Sequence, residues 1–323
     1  MYEPAFKVML TLARAGEALD VGEVVRRSHE STSAVRRVLE EYPRWFAVEP
    51  RRSVGLTPEG ERALLRELAH RTPLYQREDR RAATPEEIAY FAEIAAFRGR
   101  VKRSLDQTRA TVETVFRRAT LLVERGETQR GIAFLGDADL TAVATDRRAP
   151  GFRGVVFDVD RDVLHAIEEH AARTPGSRLQ AVHADLTEPM PRAAARRFGA
   201  AFLDPPYTPA GVGVFLSRAR EALKPDGRAY LSLGESGRAR HLALERQRAI
   251  LELGWLVEEV IPDFNEYDGA HSIGATASLY VLSQTPQTRV LRSDEFDRAA
   301  LYTRRRTTSA PRDRGARRPG RGD

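Results

Sequence analysis

Residues 131–283 alternate short apolar runs with stretches of helical periodicity, a rhythm that points to a mainly parallel sheet flanked by helices. Apolar runs at 132–135, 155–158, 179–182, 201–203 and 228–233 predict five successive strands. A helix over 241–253 and two further runs at 256–261 and 277–283 complete the pattern. The predicted fold class is α/β, with a Rossmann-like seven-stranded sheet of the methyltransferase type. Open sheets of this kind bind nucleotides beyond the carboxyl ends of their strands, so the chemistry is expected there.

Upstream, residues 1–70 read as three helices and a polar hairpin, which resembles a winged helix. Asp20 and Ser31 are placed to cap its second and third helices, and Thr57-Pro58 opens a fourth. Arg36, Arg37, Arg51 and Arg52 can reach phosphate if the third helix enters a DNA groove. Residues 1–69 nevertheless hold 11 basic and 11 acidic residues. A groove reader needs a basic excess, so a structural, dimerising or substrate-covering role is preferred to nucleic-acid binding. Residues 71–128 read as a helical connector, 129–290 as the cofactor-binding catalytic domain and 291–323 as an Arg-rich, mostly disordered tail. The formal net charge of +6 equals that of residues 304–323 alone, where eight arginines face two aspartates.

The 323 residues include no cysteine, which excludes disulfides, thiolate metal sites and cysteine nucleophiles. His165 and His170 lie five apart and the other histidines show no ligand spacing, so no metal is expected. An amphipathic opening over 2–15, with no run of about 18 apolar residues anywhere, predicts a soluble cytoplasmic protein without a membrane partner.

Three features fall at successive strand ends. Gly136 ends the first strand at a tight turn into a helix whose amides face a cofactor. Asp158 ends the second, where an acid can hold both ribose hydroxyls, with Asp160 as a competing candidate. Asp185 follows the third, where a carboxylate can accept from an adenine amine with Leu186 beside the ring. Each acid is also a plausible helix cap, but their order and spacing favour an adenosyl-sulfonium ligand.

The strongest motif is Asp204-Pro205-Pro206-Tyr207 after the fourth strand. Its prolines stiffen the backbone, Pro205 toward the cofactor and Pro206 toward the acceptor, so that carbonyls and the Asp204 carboxylate converge on one donor while Tyr207 offers a ring face. That suits an amine nucleophile, whose lone pair must be free and aimed in line. Asp137 and Asp139 replace a glycine-rich turn with two carboxylates, which favour a cationic reactant pair and repel both DNA and the carboxylate of S-adenosylmethionine. Asp139 is expected to bind a cofactor amine, and Asp137 or Asp204 the acceptor amine. Asn265, Glu266 and Tyr267 are expected to line an acidic acceptor tunnel, with Tyr267 stacking on an ammonium.

The winged-helix-like start, Phe134-Leu135-Gly136-Asp137-Ala138-Asp139-Leu140, Asp204-Pro205-Pro206-Tyr207-Thr208 and Ile261-Pro262-Asp263-Phe264-Asn265-Glu266-Tyr267 together resemble the branched-chain polyamine synthase, or N(4)-bis(aminopropyl)spermidine synthase, family. The resemblance implies transfer of aminopropyl groups from decarboxylated S-adenosylmethionine to the central amine of spermidine by a homodimer, with Asp204, Tyr207 and Asp137 at the chemistry. Two departures stand out. Ala138 occupies a position where the family's turn carries an acid associated with amine deprotonation, and the cysteine pair often found near the connector is absent. The residues leave two alternatives open: an S-adenosylmethionine-dependent methyltransferase acting on an amine or a nucleic acid, and a winged-helix DNA-binding regulator that senses a metabolite.

Overall fold

A computed structural model describes residues 3–48, 53–70, 83–234, 240–268, 276–292 and 294–302. Arg51, Arg52 and the arginines of 304–323 lie outside the described residues. Near the N-terminus, α1 (Glu3–Ala15), α2 (Val21–Ser28) and α3 (Thr32–Glu41) pack with a three-stranded antiparallel sheet. Its strands are β1 (Leu19–Asp20), β2 (Phe46–Val48) and β3 (Ser53–Leu56), in the order β1-β3-β2, and α4 (Pro58–His70) follows. Asp20 and Ser31 cap α2 and α3 through the amides of Glu23 and Ala34, and Thr57 accepts from Gly60. Lys7 of α1 pairs with Glu30 at 3.4 Å and with Asp263 at 3.7 Å, which sets this module against the main body.

The body contains α5 (Pro85–Ala95), β4 (Arg109–Ala110), α6 (Val112–Glu124), β5 (Ile132–Leu135), α7 (Thr141–Arg148), β6 (Arg153–Asp158), α8 (Arg161–Arg173) and β7 (Arg178–His183). It continues with β8 (Phe198–Leu203), α9 (Pro209–Ala222), β9 (Leu223–Leu233), α10 (Arg240–Glu252), β10 (Trp255–Asp268) and β11 (Thr276–Gln284). The sheet order is β4-β10-β11-β9-β8-β5-β6-β7. Strands β5 to β9 pair in parallel, whereas β11, β10 and β4 are antiparallel to their neighbours.

Successive β5 residues alternate between faces: Ile132 and Phe134 join the core beneath α6 to α8, Ala133 and Leu135 the core beneath α9. Burial on both faces explains the continuous apolar run seen in the sequence. From β5 the chain runs outward through β6 and β7, then returns to place β8 on the other side of β5. The crevice at this reversal is where such sheets take their ligands.

Three expectations change. Among the described residues the sheet has eight strands, not seven, because Ala110 and Arg109 pair with Tyr267 and Asp268 of β10. The supposed connector is part of the body: Val115, Phe116, Ala119 and Leu122 of α6 are fully buried in the same core as Phe134 and Phe202. Residues 291–302, assigned to a mostly disordered tail, are packed where they are described. Leu301 is buried under α9, Leu291 donates to Ser217, and the Leu301 carbonyl accepts from Thr208. Apolar Leu291, Phe296, Leu301 and Tyr302 supply the burial that the charge-rich composition conceals.

Far from the crevice, α5, α7 and α8 are joined by a buried polar chain. Tyr90 and His170 Nδ1 lie 2.8 Å apart, and His170 Nε2 lies 3.0 Å from Asp146, which also accepts from Ser177 and the Gly151 amide. Burial alone would raise the Asp146 carboxyl, but the hydrogen bonds from His170 and Ser177 outweigh it and hold the group below its usual range. Asp146→Asn is expected to cost about 1–3 kcal/mol at neutral pH, read by urea unfolding. Because its folded pKa is depressed, the Asp146 contribution is present above about pH 4 and fades as pH falls through the lower folded value. The wild-type and variant curves should therefore converge in acid; a gap that does not vary with pH would refute the assignment.

Candidate active site

The turn after β5 is built around Gly136, whose φ is +68° and whose amide donates to Phe157 O. A Cβ there would stand 3.0 Å from Phe215 Cε1, so both the backbone and the neighbouring ring favour glycine. Three residues later Asp139 is buried, and its two oxygens are already engaged. Oδ1 accepts from the Ala110 amide at 2.8 Å and Oδ2 from Arg118 Nη1 at 2.9 Å. Asp137 is likewise committed, accepting from Thr141 N at 2.7 Å and Ala142 N at 2.9 Å at the start of α7. Burial pushes its carboxyl up to about 7 despite those two amides. Asp137 thus holds the first amides of α7 and Asp139 joins Ala110 to Arg118, while both residues line the cavity described below.

At the end of β6, Asp158 accepts from the amides of Asp137 and Asp160 at 3.0 and 2.7 Å, and burial raises its pKa. It lines the central cavity. Asp160 does not: it caps α8 through the Asp162 amide, pairs with Lys102 and accepts from Gln107 at 2.8 Å. Burial would raise Asp160, but the Lys102 and Gln107 donors prevail and lower it. Asp185 is exposed and turns back on Thr187, whose amide and hydroxyl it accepts, while Leu186 is buried in the core on the α9 side. Neither residue is among those that line the cavity.

Asp204, Tyr207 and Tyr267 do converge. Asp204 Oδ2 accepts from Arg118 Nη2 at 3.0 Å and Tyr267 OH at 3.2 Å; Oδ1 takes the longer phenol contacts, 3.3 Å from Tyr267 and 3.4 Å from Tyr207. Tyr207 OH donates to Tyr267 OH at 2.8 Å, and Ser232 Oγ lies 2.7 Å from the latter. Burial raises Asp204; Arg118 opposes this and the adjacent Asp139 reinforces it. Burial also raises both phenols, so they stay protonated and donate. The Tyr207 ring lies against Gly234, where an added Cβ would be 2.4 Å from Cε2, and Arg246 ties the Tyr207 and Gly234 carbonyls together.

Alternation along β10 separates the late candidates. Asn265 and Tyr267 are buried and turn toward Arg118, whereas Glu266 points to α6 and lies 3.7 Å from Arg117, away from the cavity wall. Of these three residues, Tyr267 lines the cavity. Gly136, Asp137, Asp139, Asp158, Asp204, Pro205, Pro206, Tyr207 and Tyr267 all line one cavity of about 550 Å³ at the sheet reversal, with Ala138 beside them. Residues 103 and 105–108 form part of its wall. Among the described residues, no group of three His, Asp or Glu side chains is placed to hold a metal.

Arg118 was missed by motif reading, yet the signal is present. Positions 115, 118, 119 and 122 form one helical face, and an arginine interrupts an otherwise apolar stripe. Lys102, Gln107 and Ser232 carry no comparable mark, because their roles come from loops and a strand distant in sequence, and Arg246 is brought to the Tyr207 and Gly234 carbonyls by α10.

The profile of the branched-chain polyamine synthase A C-terminal domain family matches residues 86–308. The chain belongs to this family. It is 31% identical over 188 residues to the N(4)-bis(aminopropyl)spermidine synthase of Thermococcus kodakarensis, covering 57% of this chain and 54% of that protein. It is 37% identical over 177 residues to an uncharacterized protein of Methanocaldococcus jannaschii, covering 54% and 44%. The chain thus spans about half the length of the curated relatives it matches. The branched-chain polyamine synthase of Thermus thermophilus, solved with N4-aminopropylspermidine and 5'-methylthioadenosine, shares the fold at a TM-score of 0.60 and 24% identity, with 93% of each chain covered.

For this branched-chain polyamine synthase family member, Gly136→Ala tests the tight turn. The positive φ and the Phe215 contact are expected to cost about 1–2 kcal/mol in urea unfolding. Adding Phe215→Leu should recover part of the loss and leave the backbone strain; full recovery would show that φ is not the constraint.

Proposed function

We propose that the protein is an aminopropyltransferase that moves an aminopropyl group from decarboxylated S-adenosylmethionine to an amine of spermidine or a related polyamine. The observation that carries this reading is Asp204: a largely buried carboxylate, raised in pKa and ringed by two phenols, on a cavity at the sheet reversal. Family membership and the names of the curated relatives support it. Asp158 and the Gly136 turn would hold the nucleoside, with Pro205 beside it. Pro206, Tyr207 and Tyr267 would flank the acceptor.

Nucleophilic displacement needs a neutral nitrogen aimed at the carbon next to sulfur. Asp204 accepts a proton from the acceptor ammonium and then keeps the nitrogen oriented. As the new C–N bond forms, the C–S bond breaks and its electron pair stays on sulfur, leaving a neutral thioether nucleoside. Positive charge passes from sulfur to nitrogen, where nearby carboxylates stabilise it. Ala138 leaves a methyl group on the cavity wall where the family's acid is expected, so Asp204 is the proton acceptor in this reading.

The same proposal covers the finer architecture. Residues 1–70 act as a winged-helix-like module that covers or dimerises the catalytic body, and the body is a methyltransferase-type sheet working as a homodimer in the cytoplasm. Among the described residues, no helix is long and apolar enough to cross a membrane.

Mass spectrometry of reactions containing either decarboxylated or intact S-adenosylmethionine and a panel of amines tests the reading. Aminopropylated product should form with the decarboxylated form alone, whereas methylated product from the intact form would replace this function with methyl transfer. Asp204→Asn is expected to lower transfer by about 100-fold or more. Nucleoside-product affinity should stay within about threefold, because an interaction used in the reaction rather than in ground-state binding affects turnover. Loss of nucleoside binding would mean that Asp204 serves the cofactor instead.

A further inference from the structure

The Arg118 guanidinium has no solvent exposure and uses both of its edges. Nε donates to Asn265 Oδ1 at 2.7 Å; Nη1 donates to Asp139 at 2.9 Å and Thr141 at 3.4 Å; Nη2 donates to Asp204 at 3.0 Å and Tyr267 at 2.9 Å. Its plane also lies over the Phe202 ring, with Cζ 5.1 Å from the centroid. One side chain on α6 therefore bonds the β5 turn, the end of β8 and the far end of β10. Lysine, with a point charge on a flexible stem, cannot reproduce that fork.

The structure assigns Arg118 as the positioning residue of the acceptor side: it sets the place and the charge state of Asp204 by holding that carboxylate against its neighbour Asp139. The assignment rests on the reading of Asp204 as the acceptor carboxylate. Two opposed neighbours act on Asp204. Arg118 favours its ionised form, and Asp139, on the opposite edge of the same guanidinium, disfavours it. The other ionisable groups near this cluster are Tyr207 and Tyr267, which stay protonated, Asp137, bonded to the α7 amides, Arg98, which donates to the Ala138 carbonyl, and Arg246, bound to the Tyr207 and Gly234 carbonyls. None of them bridges the two carboxylates. A guanidinium that merely filled the core would leave the titration of Asp204 indifferent to which partner is changed.

The test compares Arg118→Gln with Asp139→Asn. Removing the cation should move the acidic limb of the transfer rate to higher pH by about one unit, and removing the rival carboxylate should move it to lower pH by about half a unit or more. The KM for the sulfonium substrate should change less than kcat in both. The carboxyl carbon of Asp204, followed by 13C NMR in aspartate-labelled protein and identified by its loss in Asp204→Asn, should show the same opposite displacements without reference to activity. If no amine accepts an aminopropyl group while the NMR titrations move apart, the functional reading fails and only the hold of Arg118 on the Asp204 carboxylate stands. If transfer occurs and both titrations stay in place or move together, the role of Arg118 is overturned. Should Arg118→Gln fail to fold, Arg118→Lys, which keeps the charge but loses the fork, takes its place: the Asp204 titration should still move to higher pH, and an unmoved titration would overturn the role of Arg118.

Discussion

A guanidinium removed from water must be met by carboxylates and by acceptors for its N–H groups, or the helix that bears it would not pack. Arg118 is such a group, and the site takes its form from how it is met. Asp139 and Asp204 arrive from the ends of different strands, and Asn265 and Tyr267 from a third. Breaking any one of these contacts would strand charge or polar surface in the interior, so chemistry and folding are coupled at this point. The coupling also limits what the acids can do. Two carboxylates share one cation, which leaves far less uncompensated negative charge for a polyamine than a count of aspartates suggests.

Sheet topology supplies the space into which this cluster opens. The reversal between β5 and β8 parts the loops that follow them, and the Gly136 turn and the Asp204-Pro205-Pro206-Tyr207 segment occupy the two lips. The segment carrying Lys102 and Gln107 is fastened to Asp160 at one end and, through the Ala110 amide, to Asp139 at the other. Asp160 thus anchors the wall from outside the cavity, while Asp139 anchors it from the cavity's own lining, beside Asp158 and Asp204.

The strands and the proline motif were legible because each is local: the continuous apolar run of β5, buried on both faces, and the stiff Pro205-Pro206 pair leave their mark within a few residues. The division of labour among the acids was not. Asp137, Asp158, Asp160 and Asp185 all follow strands, and sequence alone does not distinguish a carboxylate that caps a helix from one that faces a ligand, since both prefer the same positions. Asp185 and Leu186 fell outside the cavity for this reason. Glu266 was misplaced because the strand was expected to stop at 261, which put it in a loop; in β10 it obeys strand alternation and faces α6. Arg118 was readable in principle as a charge on a buried stripe, but its meaning depended on partners 21 to 149 residues away.

Strand β10 reaches the cluster only after two shifts of register against β11, one between Val257 and Glu259 and one between Ile261 and Asn265, the second containing Asp263 in the left-handed region. Each irregularity changes the count of residues before the strand's far end. Parity decides which side chain faces inward, so the bulges act as the spacer that delivers a phenol, rather than the neighbouring glutamate, to Asp204. Relatives that lengthen or shorten this stretch by one residue would have to restore the count elsewhere to keep a hydroxyl at that address, which makes indels here, more than substitutions, the changes that would rewrite the pocket.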